Sequence, residues 1–133
     1  MINNKSKEKI IIVDFGSQVT KLIARRIREY KVFCEILTIH QFNNLKNFKN
    51  IKGIILSGGP STVTKKTHPN ISLKIFSKKI PILGICYGLQ LISKNLGGKV
   101  KSVKRRREFG RATLNQVKSS SLTKNFYKRK KAT

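Results

Sequence analysis

Strand-like apolar runs alternate with helical segments along most of the sequence, and this alternation constrains the fold more than any other feature. Ile10–Val13 and Ile54–Leu56 are continuous apolar runs, which are typical of strands covered on both faces. The predicted elements are strands at Ile10–Val13, Val32–Ile39, Ile54–Leu56 and Ile80–Ile85, and helices at Val19–Tyr30, at Ser72–Lys78 and from Leu89 to Gly97-Gly98. The sequence therefore predicts an α/β fold with a doubly wound, mostly parallel open sheet.

The two ends of the chain carry weaker patterns. Residues 1–9 are polar, and we expect them to be flexible. After the last helix two short strands are predicted at Lys99–Val103 and Arg111–Val117, and residues 118–133 form a basic tail that we expect to be disordered. A length of 133 residues suits one domain, which we place at residues 10–117.

The chain is strongly basic, with 30 Lys and Arg residues against 5 Asp and Glu residues and a formal charge of +25. The lysines are spread along the sequence, and only Lys104–Arg107 and Lys128–Lys131 are locally dense. No finger, zipper or base-stacking motif accompanies the charge. The charge therefore indicates non-specific, salt-sensitive adhesion to polyanions more than a dedicated nucleic-acid function.

The number of cysteines and the length of the apolar runs indicate the cellular compartment in which the chain is expected to work. The two cysteines, Cys34 and Cys86, are too few for a disulfide framework and favour a reduced, cytoplasmic environment. No apolar run approaches the roughly 20 residues that a membrane span needs. Residues 1–9 lack the apolar stretch of a signal peptide, so we expect no membrane association.

The strongest chemical signal is the segment Gly84-Ile85-Cys86-Tyr87-Gly88, which lies where the fourth predicted strand runs into a helix. A nucleophile at a sharp strand–helix turn, with glycine two residues to either side, is the nucleophile-elbow pattern with Cys in place of Ser. The turn strains the backbone of the nucleophile, and a Cβ at either flank would crowd it. The helix N-terminus favours a thiolate. We therefore predict that Cys86 is a nucleophile.

A second signal, Ser57-Gly58-Gly59-Pro60, follows the third predicted strand. A nucleophile that attacks a carbonyl needs donors aimed at the developing oxyanion, and paired glycines leave room for a backbone N–H to point into the site. The N–H of Tyr87, next after the nucleophile, is the predicted partner donor. Taken alone, Gly-Gly-Pro is equally well an ordinary turn. No phosphate-binding glycine loop of the Rossmann or Walker type is present.

Four segments together carry a family resemblance: Asp14–Gln18, Leu56–Ser61, Gly84–Gln90 and Arg107–Gly110. They resemble the class I (triad) glutamine amidotransferases, most closely the glutaminase domains of the GMP synthetase family. The resemblance covers roughly residues 10–117 and implies a flavodoxin-like fold. It also implies an enzyme that releases ammonia from glutamine through a cysteine thioester.

The resemblance assigns roles to five residues. Cys86 would attack the side-chain amide of glutamine, Gly59 and Tyr87 would supply the oxyanion donors, and Gly58 and Gln90 would bind the substrate. It implies no metal site and no cofactor in this chain. The expected partners are glutamine and a synthetase (ATP-pyrophosphatase) domain or subunit. That partner would use ATP and Mg and would aminate XMP to GMP in purine biosynthesis.

The sequence departs from the family in one half of the triad. The family uses Cys, His and Glu, the last two in a later His-x-Glu element, and no His-x-Glu occurs in these 133 residues. The sequence stops before the last strands of the family's sheet and holds no synthetase domain. The resemblance therefore predicts a C-terminally truncated domain that turns glutamine over poorly on its own. His40 and His68 are expected in solvated turns or loops, with no carboxylate to orient them.

Three other interpretations stay open. A different amidotransferase, such as an anthranilate synthase component, fits the same chemistry, although Asp14–Gln18 and Arg107–Gly110 count against it. A non-catalytic basic module on the same scaffold would bind polyanions and would be indifferent to replacement of Cys86. An inactive remnant of the enzyme would also lack half of the triad.

Overall fold

The computed structural model describes residues 7–103, 110–127 and 131–132. It divides the chain into two compact units, Met1–Lys101 and Ser102–Thr133. Residues 1–6, most of the dense basic runs at 104–107 and 128–131, and three residues of the Arg107–Gly110 segment lie outside the described residues. The proposed domain limits at residues 10 and 117 and the disorder of the tail stay predictions.

The first unit contains a four-stranded, entirely parallel sheet. Its strands are β1 (Lys9–Asp14), β2 (Cys34–Thr38), β3 (Ile51–Leu56) and β4 (Ile82–Gly84), in the order β2-β1-β3-β4. Three α-helices accompany them, α1 (Val19–Glu29), α2 (Ile39–Asn43) and α3 (Tyr87–Asn95), together with a 3-10 helix at Leu73–Lys78. The prediction of a parallel open α/β sheet is confirmed.

Both faces of the sheet are covered, because successive residues of its central strands point to opposite sides. Ile12 of β1 packs with Ala24 of α1 and Cys34 of β2 on one face. Ile11 and Val13, the neighbours of Ile12, pack into the larger cluster on the other face. Residues of α2 and α3 join that larger cluster, so the helices lie on both sides and the fold is doubly wound.

Several predicted boundaries are wrong. The strand predicted at Val32–Ile39 ends at Thr38, whose side chain and that of Gln41 form a capping box that begins α2. The strand predicted at Ile80–Ile85 covers only Ile82–Gly84, and the helix predicted at Ser72–Lys78 is a 3-10 helix. The strand predicted at Lys99–Val103 is absent from the described residues, and Val100 packs on the core without a strand partner.

The second unit contains a short antiparallel pair, β5 (Leu114–Asn115) with β6 (Lys131–Ala132). The strand predicted at Arg111–Val117 is therefore correct in place and too long. Phe126 and Tyr127 make an edge-to-face contact with ring centroids 5.1 Å apart. Across the described parts of both units, no helix is long and apolar enough to cross a bilayer.

Candidate active site

Cys86 occupies the turn between β4 and α3 in a strained backbone conformation. Its φ is 51° and its ψ is −111°, in a region that residues with a Cβ avoid. Its carbonyl accepts hydrogen bonds from Leu89 N at 3.1 Å and Gln90 N at 3.2 Å, which hold the turn against the first turn of α3. The residue is exposed and its thiol is free. The geometry agrees with a nucleophile elbow.

The glycines on either side of Cys86 are required by packing. A Cβ on Gly84 would lie 2.7 Å from Leu89 N and 2.7 Å from Ile92 Cδ1. A Cβ on Gly88 would lie 2.7 Å from Leu56 Cβ and closer still to Leu56 O. Both approaches are shorter than real side chains tolerate, so the strand–turn–helix can close only with glycine at these two positions.

The loop after β3 lies beside Cys86. A Cβ built on Gly58 would be 3.4 Å from Cys86 Cβ and 3.7 Å from Ser17 Oγ. Gly88 N donates to Ser57 O at 3.2 Å, which ties the same loop to the start of α3. The structure therefore brings together the three segments that follow β1, β3 and β4, as expected for the carboxyl edge of a parallel sheet.

Gly59 lies where the loop after β3 passes close to the backbone of Phe15. A Cβ at Gly59 would be 2.9 Å from Phe15 Cβ and 3.1 Å from Phe15 C. Among the described residues, the N–H of Gly59 donates no hydrogen bond to the protein. A free N–H on a loop beside Cys86 is what an oxyanion donor requires. The roles given to Gly58 and Gly59 stay predictions.

A buried hydroxyl pair fixes this loop, and sequence reasoning missed it. The Thr20 hydroxyl, on α1, is hydrogen-bonded to Asp14 Oδ1 at 2.8 Å and to Ser57 Oγ at 2.9 Å. Thr20 and Ser57 are 1% and 0% exposed. Asp14 Oδ1 also accepts from Gly16 N at 2.9 Å. Because buried polar groups are costly unless paired, this network holds the loops after β1 and β3 at a fixed separation.

Tyr87 presents its backbone beside Cys86 and its side chain to the core. The ring is 1% exposed and packs edge-on against Phe15, with centroids 5.0 Å apart. Its hydroxyl donates to Pro69 O and lies 3.1 Å from His68 Nδ1. Burial raises the pKa of the Tyr87 phenol above its usual value. Tyr87 is thus anchored at the far end of its side chain.

The raised pKa of Tyr87 predicts a loss of stability in alkali. A phenol whose pKa is higher in the folded chain than its unfolded value of about 10 contributes stability that is complete below that value. This contribution disappears as the pH rises through the folded pKa. We expect the free energy of unfolding, measured by urea denaturation, to fall above about pH 10. The fall should be smaller in Tyr87→Phe than in Tyr30→Phe, whose tyrosine is 83% exposed. Equal slopes of the free energy of unfolding against pH in the two variants would contradict a raised pKa for Tyr87.

Gln90 lies one turn into α3, and its side chain faces the loop after β3. Its Oε1 accepts from Thr62 Oγ1 at 3.2 Å and from Val63 N at 3.4 Å. The carbonyl end of the amide is therefore occupied by the protein, and the amino end is the part that can meet a ligand. Its role in substrate binding stays a prediction.

The two histidines differ from each other in the structure. His40 is exposed on α2, with its ring 3.1 Å from Asn44 Nδ2, and lies on a helix instead of the expected turn. His68 lies in a loop, as expected, but it is less solvated than predicted. His68 is half-buried and lies 3.1 Å from Tyr87 Oη and 3.0 Å from Lys94 Nζ. Lys94 is four residues after Gln90 on α3, so the two side chains lie on the same face of the helix and meet the same loop. This four-residue spacing is visible in the sequence.

Family membership follows from comparison with known proteins. The glutamine amidotransferase class-I family matches residues 11–133. The chain belongs to the class I glutamine amidotransferases. The parallel sheet and the strained cysteine after β4 agree with this membership.

Individual relatives point to one branch of the family. A glutamine-hydrolyzing GMP synthase of Cytophaga hutchinsonii is 49% identical over 114 residues, covering 85% of this chain and 22% of that protein. The corresponding protein of Prochlorococcus marinus subsp. pastoris is 47% identical over 127 residues, covering 94% of this chain and 24% of its own length. A crystal structure of a Thermoplasma acidophilum protein, described as one of the subunits of a GMP synthase, superposes with a TM-score of 0.76 and 27% identity. The match covers 94% of this chain and 61% of that one.

The chain thus spans less than a quarter of the length of the two GMP synthases from Cytophaga and Prochlorococcus.

Within residues 7–103 and 110–127, no group of three or more His, Cys, Asp or Glu side chains is placed to hold a metal ion.

Proposed function

We propose that this chain carries the glutamine-cleaving centre of a GMP synthase, with Cys86 as the nucleophile. The observation that carries the proposal is the position of Cys86, exposed at a strained turn beside the loop that contains Gly58. The names of the relatives support glutamine as the substrate.

The chemistry follows from the groups that surround the sulfur. The Cys86 thiolate adds to the side-chain amide carbon of glutamine, and the oxygen becomes an oxyanion that the N–H groups of Gly59 and Tyr87 stabilise. The C–N bond then breaks, and the proton formerly on the thiol leaves with the nitrogen as ammonia. Water cleaves the resulting thioester to glutamate and regenerates the thiol. The sum is glutamine and water to glutamate and ammonia.

Two proton transfers in this reaction need a positioned carrier. The leaving nitrogen must be protonated and the attacking water must lose a proton, and positioned groups contribute about 10²–10⁴ in rate at such steps. No His-x-Glu element occurs in the sequence. We infer that full turnover requires a group supplied from outside these 133 residues.

The destination of the ammonia is part of the same proposal. A GMP synthase needs a second domain or subunit that uses ATP and XMP, and the relatives extend well beyond the matched region. We propose that ammonia released at Cys86 passes to such a synthetase partner, which aminates XMP. No cofactor is needed for the cysteine chemistry itself.

Labelling by a glutamine-mimicking chloroketone tests the proposal. We expect one equivalent to modify Cys86, measured by intact mass and peptide mapping, and we expect L-glutamine to slow the reaction. Cys34 should stay unmodified because it is 1% exposed and its Sγ lies 3.6 Å from Ala24 O. Cys86→Ala should abolish labelling, and Cys34→Ala should leave it unchanged.

Burial alone protects Cys34, so selectivity for Cys86 over Cys34 does not by itself show a glutamine pocket. The decisive control is the asparagine-mimicking chloroketone, which is one methylene shorter and equally electrophilic. A formed pocket should make the glutamine probe react at least about tenfold faster, since one methylene in a fitted site is worth about 1–3 kcal/mol. Equal rates for the two probes, or no protection by glutamine, would overturn the proposal and favour an inactive remnant.

A further inference from the structure

The loop at residues 61–71 is fastened to α3 by three polar side chains. Gln90 accepts from Thr62 and Val63, Lys94 Nζ donates to Val63 O at 2.8 Å, and Asn95 Nδ2 donates to Asn70 Oδ1 at 3.1 Å. All three come from the helix that begins at the nucleophile turn. The position of this loop is therefore coupled to α3.

Lys94 also begins a chain of hydrogen bonds that ends at the residue next to the nucleophile. Its Nζ lies 3.0 Å from His68 Nε2, and His68 Nδ1 lies 3.1 Å from Tyr87 Oη and 3.1 Å from Pro69 O. The Tyr87 hydroxyl donates to Pro69 O. Lys94, His68 and Tyr87 are thus connected in series.

The donors and acceptors in this series of hydrogen bonds allow one arrangement of protons. An ammonium has donors and no acceptor, so His68 Nε2 must accept from Lys94. The neutral ring then carries its proton on Nδ1, which donates toward Tyr87 Oη and Pro69 O. A ring protonated on both nitrogens would present an N–H to the ammonium of Lys94, and the link would break. The connection therefore fixes both the tautomer and the orientation of His68.

The series of hydrogen bonds ends at the side chain of Tyr87, the residue that contributes the peptide N–H after Cys86. The Tyr87 ring is 1% exposed and packs against Phe15, so a fixed hydroxyl leaves the residue little freedom to rotate. We propose that His68 and Lys94 are positioning residues that hold the Tyr87 peptide N–H in the direction of the developing oxyanion. This inference rests on the proposed function, because it assigns that N–H to the oxyanion.

Lys94→Met provides the first test, with Lys21→Met as the matched control. Lys94 is exposed, so its loss should leave the fold intact, and Lys21 is an exposed lysine on α1. The measured quantities are the maximal rate of Cys86 labelling by the glutamine-mimicking chloroketone and its half-saturating concentration. Labelling of the same thiol by iodoacetamide, which develops no oxyanion, provides the reference.

We expect Lys94→Met to lower the maximal chloroketone rate about tenfold, because small misplacements of reacting groups carry large rate costs. The half-saturating concentration and the iodoacetamide rate should stay within about twofold of the unaltered chain. Lys21→Met should change none of these. No change in the maximal rate, or an equal loss with iodoacetamide, would overturn the inference. Absence of glutamine-selective labelling in the unaltered chain would instead overturn the proposed function.

The ¹⁵N spectrum of the imidazole rings gives a second test that does not depend on reactivity. At neutral pH the unaltered chain should show His68 with its proton on Nδ1. In Lys94→Met the acceptor role of Nε2 is no longer imposed, and the ring signals should move toward a mixture of tautomers. The His40 signals should stay unchanged, because His40 contacts Asn44 and not Lys94. A proton on Nε2 in the unaltered chain would overturn the inference.

Discussion

Replacing Gly88 with alanine is expected to reduce the free energy of unfolding by about 3 kcal/mol, because the packing leaves no space for a methyl group. A Cβ there would lie 2.7 Å from both the carbonyl carbon and the Cβ of Leu56. Leu56 is 0% exposed and belongs to β3, so neither its backbone nor its side chain can retreat. The substitution must push α3 away from the sheet, which displaces Cys86 as well. Urea denaturation followed by circular dichroism measures the loss.

Gly53→Ala is the matched control. Gly53 lies in β3, and a Cβ there would be 3.8 Å from Ile10 Cγ1 and 4.0 Å from Pro81 O, which are ordinary contacts. Alanine is also less flexible than glycine in the unfolded chain, so Gly53→Ala should be unchanged or more stable by up to about 1 kcal/mol. Equal stability of the two variants would show that α3 does not pack against Leu56 as the structure has it.

The fold was predictable where each element carries its own signal. Continuous apolar runs marked β1 and β3 because central parallel strands are buried on both faces. The capping box Thr38–Gln41 was also readable, and it would have placed the end of β2 correctly. The strand predicted at Lys99–Val103 failed because apolar residues form a strand only where a neighbouring strand can pair with them.

The candidate site, like the fold, has parts that the sequence patterns predict and parts that they do not. The turn at Cys86 was predictable because the glycines that it needs lie two residues away on either side. The contact between Thr20 and Ser57 joins residues that are 37 positions apart, and that between His68 and Lys94 joins residues 26 apart. Sequence patterns describe neighbours along the chain, so contacts of this kind appear only once the sheet brings the loops together. These long-range contacts hold the loops beside the predicted nucleophile.

Incubation of the unaltered chain with glutamine is expected to give at most a slow release of ammonia, about 10²–10⁴ below that of an amidotransferase with a complete triad. In the proposed mechanism Cys86 adds to the amide, but expulsion of the nitrogen and hydrolysis of the thioester each need a proton carrier. His68 does not meet this need, because its Nε2 is occupied by Lys94 and its Nδ1 faces Tyr87 and Pro69. An ammonia assay with parallel intact-mass analysis measures both turnover and the acylated chain.

Free imidazole can serve as an added proton carrier whose concentration the experimenter sets. If the absent carrier limits the rate, added imidazole should raise ammonia release in proportion to its concentration, and Cys86→Ala should abolish the rescue. His40→Phe should respond to imidazole like the unaltered chain, since His40 is exposed on α2 and its ring contacts Asn44 of the same helix region. Rapid release without imidazole would contradict the argument, and its loss in His68→Phe would then identify His68 as the carrier. Such a result would require the bond between His68 and Lys94 to open during the reaction, which the ¹⁵N spectrum recorded with glutamine bound would reveal.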